Sequence, residues 1–469
     1  MAIGPVTTGL DRRAVRCAMA ATLLCLLALA VFWPGYVAYD SVTQYRQALT
    51  GRYDDWHPPA MARLWSLFGD AGPGPMLVVQ MALYWLGFGL LAAALAAGGR
   101  GRAAVALLIA ALWPPLLGWQ AVVLKDTQML GPLLGAVGIV GWWRLRDRPV
   151  PPAGRALIVP LLVYAVLVRA NAVFAVVPLA AMLVHRPRRW SLRLGIALAG
   201  IVLAIGVSGP INHRLFGGAP SGVERTQAIY DLAGIGVRTR DPRVGMPAAA
   251  LAGMAAKGCV RPFFWDPLGE PARCAAEVDG LRAMPVAQLY GTLAAAIVRH
   301  PLAYAAHRLA HLNSTGRWLV PLHWFGAAPP EGSEANDFGF GAPGPAAWYW
   351  QRLAGWLVET PPGWPVLWLV LAAGGVAATI RARDAAGQLA RALFVSALTL
   401  EASFAAISIA SDLRYHVWTM AAVAIGWVLV GSVPRSRLLR AVLAVALLGG
   451  TGARLLLPEA PQSYHGMLG

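Results

Sequence analysis

The chain has 469 residues, of which 58% are hydrophobic and only 13% charged, a balance too apolar for an ordinary soluble globule. It excludes a disordered chain, a collagenous repeat, a disulfide-rich secreted module and a compact cytosolic enzyme, and it supplies about ten or eleven membrane helices of roughly 20 residues each. The net charge of +17 rests almost wholly on Arg in short clusters between apolar runs, the positive-inside pattern rather than a nucleic-acid stripe.

In chain order, the first apolar run spans Val15–Trp33, behind Arg12, Arg13 and Arg16. It has the look of a signal peptide, but apolar helices continue to the far end of the chain, so an uncleaved first span is expected. A polar loop, 34–75, precedes spans at Met76–Ala97, Ala103–Trp119 and Thr127–Trp143, the second and fourth closed by Arg clusters. From Arg155 to Arg189 both flanks are basic and the apolar part is too long for one span. An even number of crossings fits, as a helical hairpin turning at Arg169-Ala170-Asn171.

A seventh span, Leu192–Pro210, leads to 211–361, which is rich in Pro and Gly. This is expected to be one long extracytoplasmic segment with surface helices at Met284–His300 and Leu302–Leu312. Cys259 and Cys274 lie in it and would be able to pair in an oxidising compartment. Cys17 and Cys25, in the first span, read as inert core residues. Four more spans follow at Gly363–Ile380, Leu389–Ala410, Val417–Val433 and Leu438–Leu457. The expected fold is an all-α polytopic membrane protein of about 11 transmembrane helices. It divides into an N-terminal transmembrane module (1–210), the extracytoplasmic segment (211–361) and C-terminal helices (362–469), with the N terminus inside and the C terminus outside.

Nearly all the unusual polar residues then fall on the outer side. Asp40, with Ser41, follows the helix-breaking Pro34-Gly35. It reads either as an N-cap or as a carboxylate at the water–lipid boundary, made a better base by partial desolvation. Asp54, Asp55 and His57 form a second cluster, either a solvated turn or ligands of a divalent metal. Lys125 is unusual in a chain that otherwise uses Arg. It reads as a snorkelling anchor, an ion-pair partner of Asp126, or a cation for an anionic substrate. Arg169, with Asn171 two residues on, lies inside an apolar run, where function is the default expectation. The turn Ser411-Asp412-Leu413-Arg414-Tyr415-His416 either adds Arg414 and His416 as cationic donors or has Asp412 and Arg414 closing a short turn, with Glu401 about three turns below it in the ninth span. His307 and His311 are four apart, but no metal-binding, nucleotide-binding or nucleophile-elbow motif stands beside them.

A base together with several cations suits a phosphate-bearing substrate whose leaving group gains charge. The chain resembles multi-pass glycosyltransferases of the GT-C superfamily, the polyprenyl-phosphate-sugar-dependent group that includes mannosyltransferase- and aminoarabinose-transferase-like enzymes. The resemblance is carried by Tyr39-Asp40-Ser41…Gln44 with Trp56-His57-Pro58-Pro59, by Lys125-Asp126, by Arg169-Ala170-Asn171 and by Arg414-Tyr415. It implies an inverting sugar transfer from a lipid-linked donor to a glycan, lipid or protein at the outer face of a bacterial inner membrane. Asp40 and His57 would be catalytic. Lys125, Arg169, Asn171, Arg414, Tyr415 and His416 would bind substrate. No metal is required, which leaves Asp54 and Asp55 open. Membrane lipids would surround the chain, and nucleic acid would not be a partner. The rival reading is a transporter or flippase for an anionic lipid or solute, which predicts midplane helix breaks and inverted repeats.

Overall fold

The computed structural model describes residues 11–183, 190–432 and 436–468. It is almost wholly helical, with one two-stranded pairing. Among the described residues, six helices are long and apolar enough to cross a membrane, or up to eight if each of two bent pairs forms one span. The protein is an all-α integral membrane protein.

The helices used below are α1 (Arg12–Phe32), α2 (Tyr39–Thr50), α3 (Gly74–Ala97), α4 (Gly101–Ala111), α5 (Pro114–Gln120), α6 (Lys125–Arg144), α7 (Pro152–Val168), α8 (Val173–Leu183) and α9 (Trp190–Pro210). After them come α10 (Thr226–Thr239), α11 (Val286–Arg299), α12 (Pro301–Gly316), α13 (Pro365–Thr379), α14 (Ala385–Ile407), α15 (Val417–Val430) and α16 (Arg437–Leu456).

The expected eleven spans are not all supplied. Pro114-Pro115 break the third run, so α4 and α5 meet at 56°, because proline cannot continue the hydrogen-bond ladder. The eighth run gives only the 15-residue α13, about 22 Å at 1.5 Å per residue against a hydrocarbon core of about 30 Å. The hairpin arms α7 and α8 have 17 and 11 residues. They do turn back on each other. Arg169 lies beside Asp126 at one end of α6, and Leu183 accepts a hydrogen bond from Arg144 at the other. Arg189 and Arg435, which flank predicted inner ends, lie outside the described residues.

Small residues set the packing. Ala14, Ala21 and Ala28 recur every seven residues and form the buried stripe of α1, while Leu23, Leu26 and Leu27 are exposed, as on a helix facing lipid. The stripe lies on α3, where a Cβ on Gly89 would come within 2.8 Å of Ala21. Farther along α3, Gly87 meets Gly138 of α6, and a Cβ on Gly138 would stand 2.7 Å from the Gly87 backbone. Without a hydrophobic drive between helices in lipid, such close backbone approach is a main source of association.

The break between α5 and α6 is held together by side chains. Gln80 of α3 donates to the carbonyls of Gln120 (2.5 Å) and Val122 (3.0 Å), and Gln120 donates back to Gln80 O at 3.0 Å. These bonds satisfy backbone groups that the bilayer would leave unpaired. The connection from α1 to α2 docks on the same break. Tyr36 pairs in parallel with Val122, its amide donating to Ala121 O (3.1 Å) and its carbonyl accepting from Val123 N (2.9 Å). Gly35 reaches this position at φ +103°, a conformation that favours glycine.

The segment 211–361 forms a second apolar core, built on α10, α11 and α12 and containing a Cys259–Cys274 disulfide with Cα atoms 6.0 Å apart. The two predicted surface helices correspond to α11 and α12. Strand β1 (Tyr53–Asp54) pairs in parallel with β2 (Gly218–Ala219), tying the loop after α2 to the start of this segment. The segment covers the end of the bundle at which α1 finishes. At the opposite end Arg13, Arg100 and Arg102 share a surface cavity of about 580 Å³.

Gly87→Ala and Gly138→Ala are each expected to destabilise the protein by about 1–3 kcal/mol through overpacking. Gly195→Ala, where an added Cβ meets nothing within 4 Å, serves as the reference. Thermal unfolding in detergent measures this, and equal midpoints for all three variants would contradict the close α3–α6 contact.

Candidate active site

The Tyr36–Val122 bridge brings the start of α2 to the start of α6. Ser41 secures it, its hydroxyl donating to Val123 O at 2.5 Å and accepting from Ala38 N at 3.0 Å. Ser41 therefore does the capping, and Ala38 is the N-cap residue. The alternative that Asp40 serves only as an N-cap is set aside, because its carboxylate points elsewhere.

That carboxylate meets three cationic or imidazole partners from separate parts of the chain. Lys125 Nζ is 3.5 Å from Oδ2, Arg414 Nη2 is 3.3 Å from Oδ2, and His57 Nε2 is 3.6 Å from Oδ1. Lys125 also donates to His57 Nδ1 at 2.7 Å. An ammonium group only donates, so Nδ1 is the acceptor and neutral His57 carries its proton on Nε2.

Beneath this group lies a more deeply buried layer. Asp126 is fully buried and ion-pairs with Arg169, while Arg414 Nε approaches its other oxygen at 3.9 Å. Arg169 Nε donates to Asn171 Oδ1 at 2.7 Å, and its guanidinium lies 4.3 Å above the Tyr415 ring. The 3₁₀ turn Ala170–Ala172 begins here because Arg169 itself takes an extended backbone. Arg414 is fixed by Asp412, at 3.0 Å from Nη2 and 3.1 Å from Nε. Lys125, Asp40 and Arg414 keep 17%, 16% and 15% of their side-chain surface exposed, against 9% for Arg169 and none for Asp126. The upper layer is therefore the more accessible of the two.

Electrostatics corrects one expectation. Burial does raise the Asp40 carboxyl, but Lys125 and Arg414 outweigh it and hold the group well below the usual carboxylate range. Asp40 is thus firmly ionised and a weak Brønsted base. Burial, reinforced by Lys125, pushes His57 down to about 3.

Asp40, His57, Lys125, Arg169 and Arg414 come together, with Asn171 and Tyr415 orienting Arg169. Lys125 reaches Asp40 and His57, and its neighbour Asp126 pairs instead with Arg169 and Arg414. His416 stands apart. It is fully buried, with Nδ1 2.9 Å from the Glu401 carboxylate and Nε2 3.0 Å from the Thr315 hydroxyl. The expectation that it binds substrate is therefore corrected: it braces the Arg414 turn between α14 and α12. Asp54 and Asp55 separate as well. Asp54 accepts from the Trp56 amide, and Asp55 accepts from the Ser221 amide and hydroxyl, each at 2.6 Å. They lock the loop rather than converge. Among the described residues no three His, Cys, Asp or Glu side chains are arranged to hold a metal ion. Cys259 and Cys274 lie in the second core, away from the cluster.

The Asp412–Arg414 pairing is among the sequence readings and is present, whereas Asp126 is paired there with Lys125 and not with Arg169. Sequence reasoning passed over Asp266 altogether, whose carboxylate accepts from the Tyr464 hydroxyl at 3.1 Å. No motif marks that position. Comparison of the chain with family models, curated proteins and solved structures gives no match.

The state of His57 can be measured. A depressed histidine in the folded protein means that the unfolded chain binds the extra proton below about pH 6.5, so stability falls as pH drops through that range. With selectively ¹⁵N-labelled histidine, the His57 signals are expected to stay those of the neutral Nε2–H form from pH 8 to pH 5. Lys125→Met removes a like charge and should raise the pH at which His57 protonates. A wild-type His57 that titrates near pH 6.5 would contradict the geometry.

Proposed function

We propose that the protein is a membrane glycosyltransferase. It moves a sugar from a polyprenyl-phosphate donor to an acceptor on the extracytoplasmic face of a bacterial inner membrane. That face carries 211–361, and the Arg13, Arg100 and Arg102 end is cytoplasmic, in keeping with the positive-inside bias. The observation that carries this reading is the convergence of Lys125 and Arg414, from separate regions, on the partly open Asp40 carboxylate, with Arg169 held beneath them on buried Asp126.

The chemistry follows from charge. Within the cluster the charges of Lys125, Arg169 and Arg414 balance those of Asp40, Asp126 and Asp412, with His57 neutral. A phosphodiester carries one negative charge, and its leaving phosphate gains a second as the glycosidic bond breaks. Cations held in place bind that developing charge more strongly in the transition state than in the ground state, which is what accelerates transfer. Lys125 and Arg414 are the exposed pair able to turn from Asp40 towards the phosphate. Arg169 is held from behind by Asp126 and Asn171. Asp40 keeps the two exposed cations apart and aimed until the donor arrives, and His57 fixes the Lys125 ammonium.

In nanodiscs with a radiolabelled polyprenyl-phosphate hexose, Lys125→Met and Arg414→Gln should each reduce sugar release or transfer by about 10²-fold or more, the scale of losing one preorganised charge donor. Asp40→Asn should accumulate normally and lose activity on the order of 10²-fold, because the cations lose their alignment. Arg46→Gln, which removes a surface pair with Asp337, should be neutral. Failure to consume any polyprenyl-phosphate sugar, together with lipid-phosphate movement across the bilayer, would favour a transporter.

A further inference from the structure

Four side chains outside the cation cluster gather beside it. Trp56, next to His57 and partly exposed, meets Trp265 with ring centroids 5.8 Å apart. Trp265 is set by its amide, which donates to Ile409 O at 2.9 Å, and by the Phe264–Ala410 bridge next to it. This strand-like contact ties 264–266 to the chain that leads into Asp412 and Arg414. Asp266 accepts its hydrogen bond from Tyr464, a residue of the C-terminal tail. The tail is anchored there because Met467 and Leu468 pack with Phe263 and Phe264. The cation cluster requires none of these contacts.

Their chemistry is that of a sugar-binding wall. Indole and phenol rings cover apolar C–H faces while offering polar edges, and a carboxylate accepts hydrogen bonds from hydroxyl groups. Burial is the main reason that the Asp266 carboxyl is raised to about 6. The Tyr464 hydrogen bond lowers it in part, and the nearby charges of Asp412 and Asp40 raise it further. A carboxylate in that range is the kind of base that operates near neutral pH, whereas Asp40 is held too acidic by its cations.

We propose that Trp56, Trp265, Asp266 and Tyr464 form the acceptor subsite, that the acceptor is a carbohydrate hydroxyl, and that Asp266 takes its proton. The inference rests on the transferase reading and names its acceptor. In the step, the acceptor oxygen forms a bond to the anomeric carbon as that carbon's bond to the phosphate oxygen breaks. The electron pair leaves with the phosphate, towards Lys125 and Arg414. The hydroxyl proton passes to the Asp266 carboxylate and then to water.

Two independent arms test this. In the first, no donor is present. Methyl glycosides and short oligosaccharides are titrated into wild-type protein in nanodiscs, and tryptophan fluorescence is followed. At least one glycoside should bind saturably, with half-saturation raised about tenfold or more in Trp265→Ala and Asp266→Asn, and unchanged in Arg46→Gln, which alters only an exposed pair. Absence of binding by every glycoside, or equal binding by wild type and Trp265→Ala, would overturn the subsite. In the second arm, transfer from a polyprenyl-phosphate hexose to the best-binding glycoside is measured against pH. Wild type should lose activity as pH falls through about 6. Tyr464→Phe should move that limb upwards, because the hydrogen bond that lowers the carboxyl is gone. Asp266→Asn should lose most transfer while retaining donor binding. Normal transfer by Asp266→Asn would overturn the base assignment. If no protein consumes the donor but the glycoside is still bound through Trp265, the transferase reading fails and the sugar subsite stands.

Discussion

The buried Asp126–Arg169 ion pair is the interaction on which the site depends. Asp126 has no exposure and Arg169 little, so either charge alone would carry a large desolvation penalty. Pairing them fixes the start of α6 against the turn between α7 and α8. The hairpin turns at Arg169, where the backbone leaves the helix and Asn171 Oδ1 accepts from the guanidinium Nε. The same Asp126 draws Arg414 across from the turn before α15. One carboxylate thus gathers three regions far apart in sequence, and the partly open layer with Asp40 is built on top of them.

The polar residues most costly in an apolar chain were the ones that sequence could find. Arg169 stands in an apolar run, Lys125 is out of keeping with the Arg-rich composition, and Asp40 follows a helix break. Each is expensive to place without a partner, so each carried a signal. His416 carried a similar signal and was misread, because burial with Glu401 and Thr315 satisfies an imidazole as fully as a substrate would. Asp54 and Asp55 were left open between a turn and an ion site, and the β1–β2 pairing turns them to different partners, Trp56 and Ser221. Asp266 was not legible at all. Its surroundings come from Ile409, Trp56 and the C-terminal tail, and nothing local to 264–268 announces them.

The eleven expected spans exceed the six to eight helices that are long and apolar enough among the described residues, on similarly physical grounds. Hydropathy counts apolar residues but does not see where a helix stops. Pro114-Pro115 divide one run, and the Ala111 carbonyl just before them accepts from the Tyr84 hydroxyl rather than from a continuing helix. α6 is the reverse case. It carries Lys125, Asp126 and Gln128 at one end, yet nearly every residue beyond Lys125 is buried among neighbours, because Gly87 and Gly138 allow α3 to approach closely. Short or polar helices are tolerated inside such a bundle when other helices, rather than lipid, surround them.

Charge balance also accounts for the unusual acidity of Asp40 on the proposed reading. Lys125 and Arg414 facing one another without a counter-charge would repel. Asp40 holds the two in place, and the resulting ion pairs make it a poor proton acceptor. A carboxylate engaged in this way is badly suited to deprotonate an acceptor while its cations remain bound to it. Proton transfer is then better served by a group outside the cation field, buried enough to hold a proton near neutrality and fixed to the same turn. Asp266 has that placement, since its neighbour Trp265 is hydrogen-bonded to the chain three residues before Asp412. On the proposed reading, holding the cations in place and accepting the proton fall to different carboxylates, because the cations that would stabilise a phosphate suppress proton acceptance by the carboxylate between them.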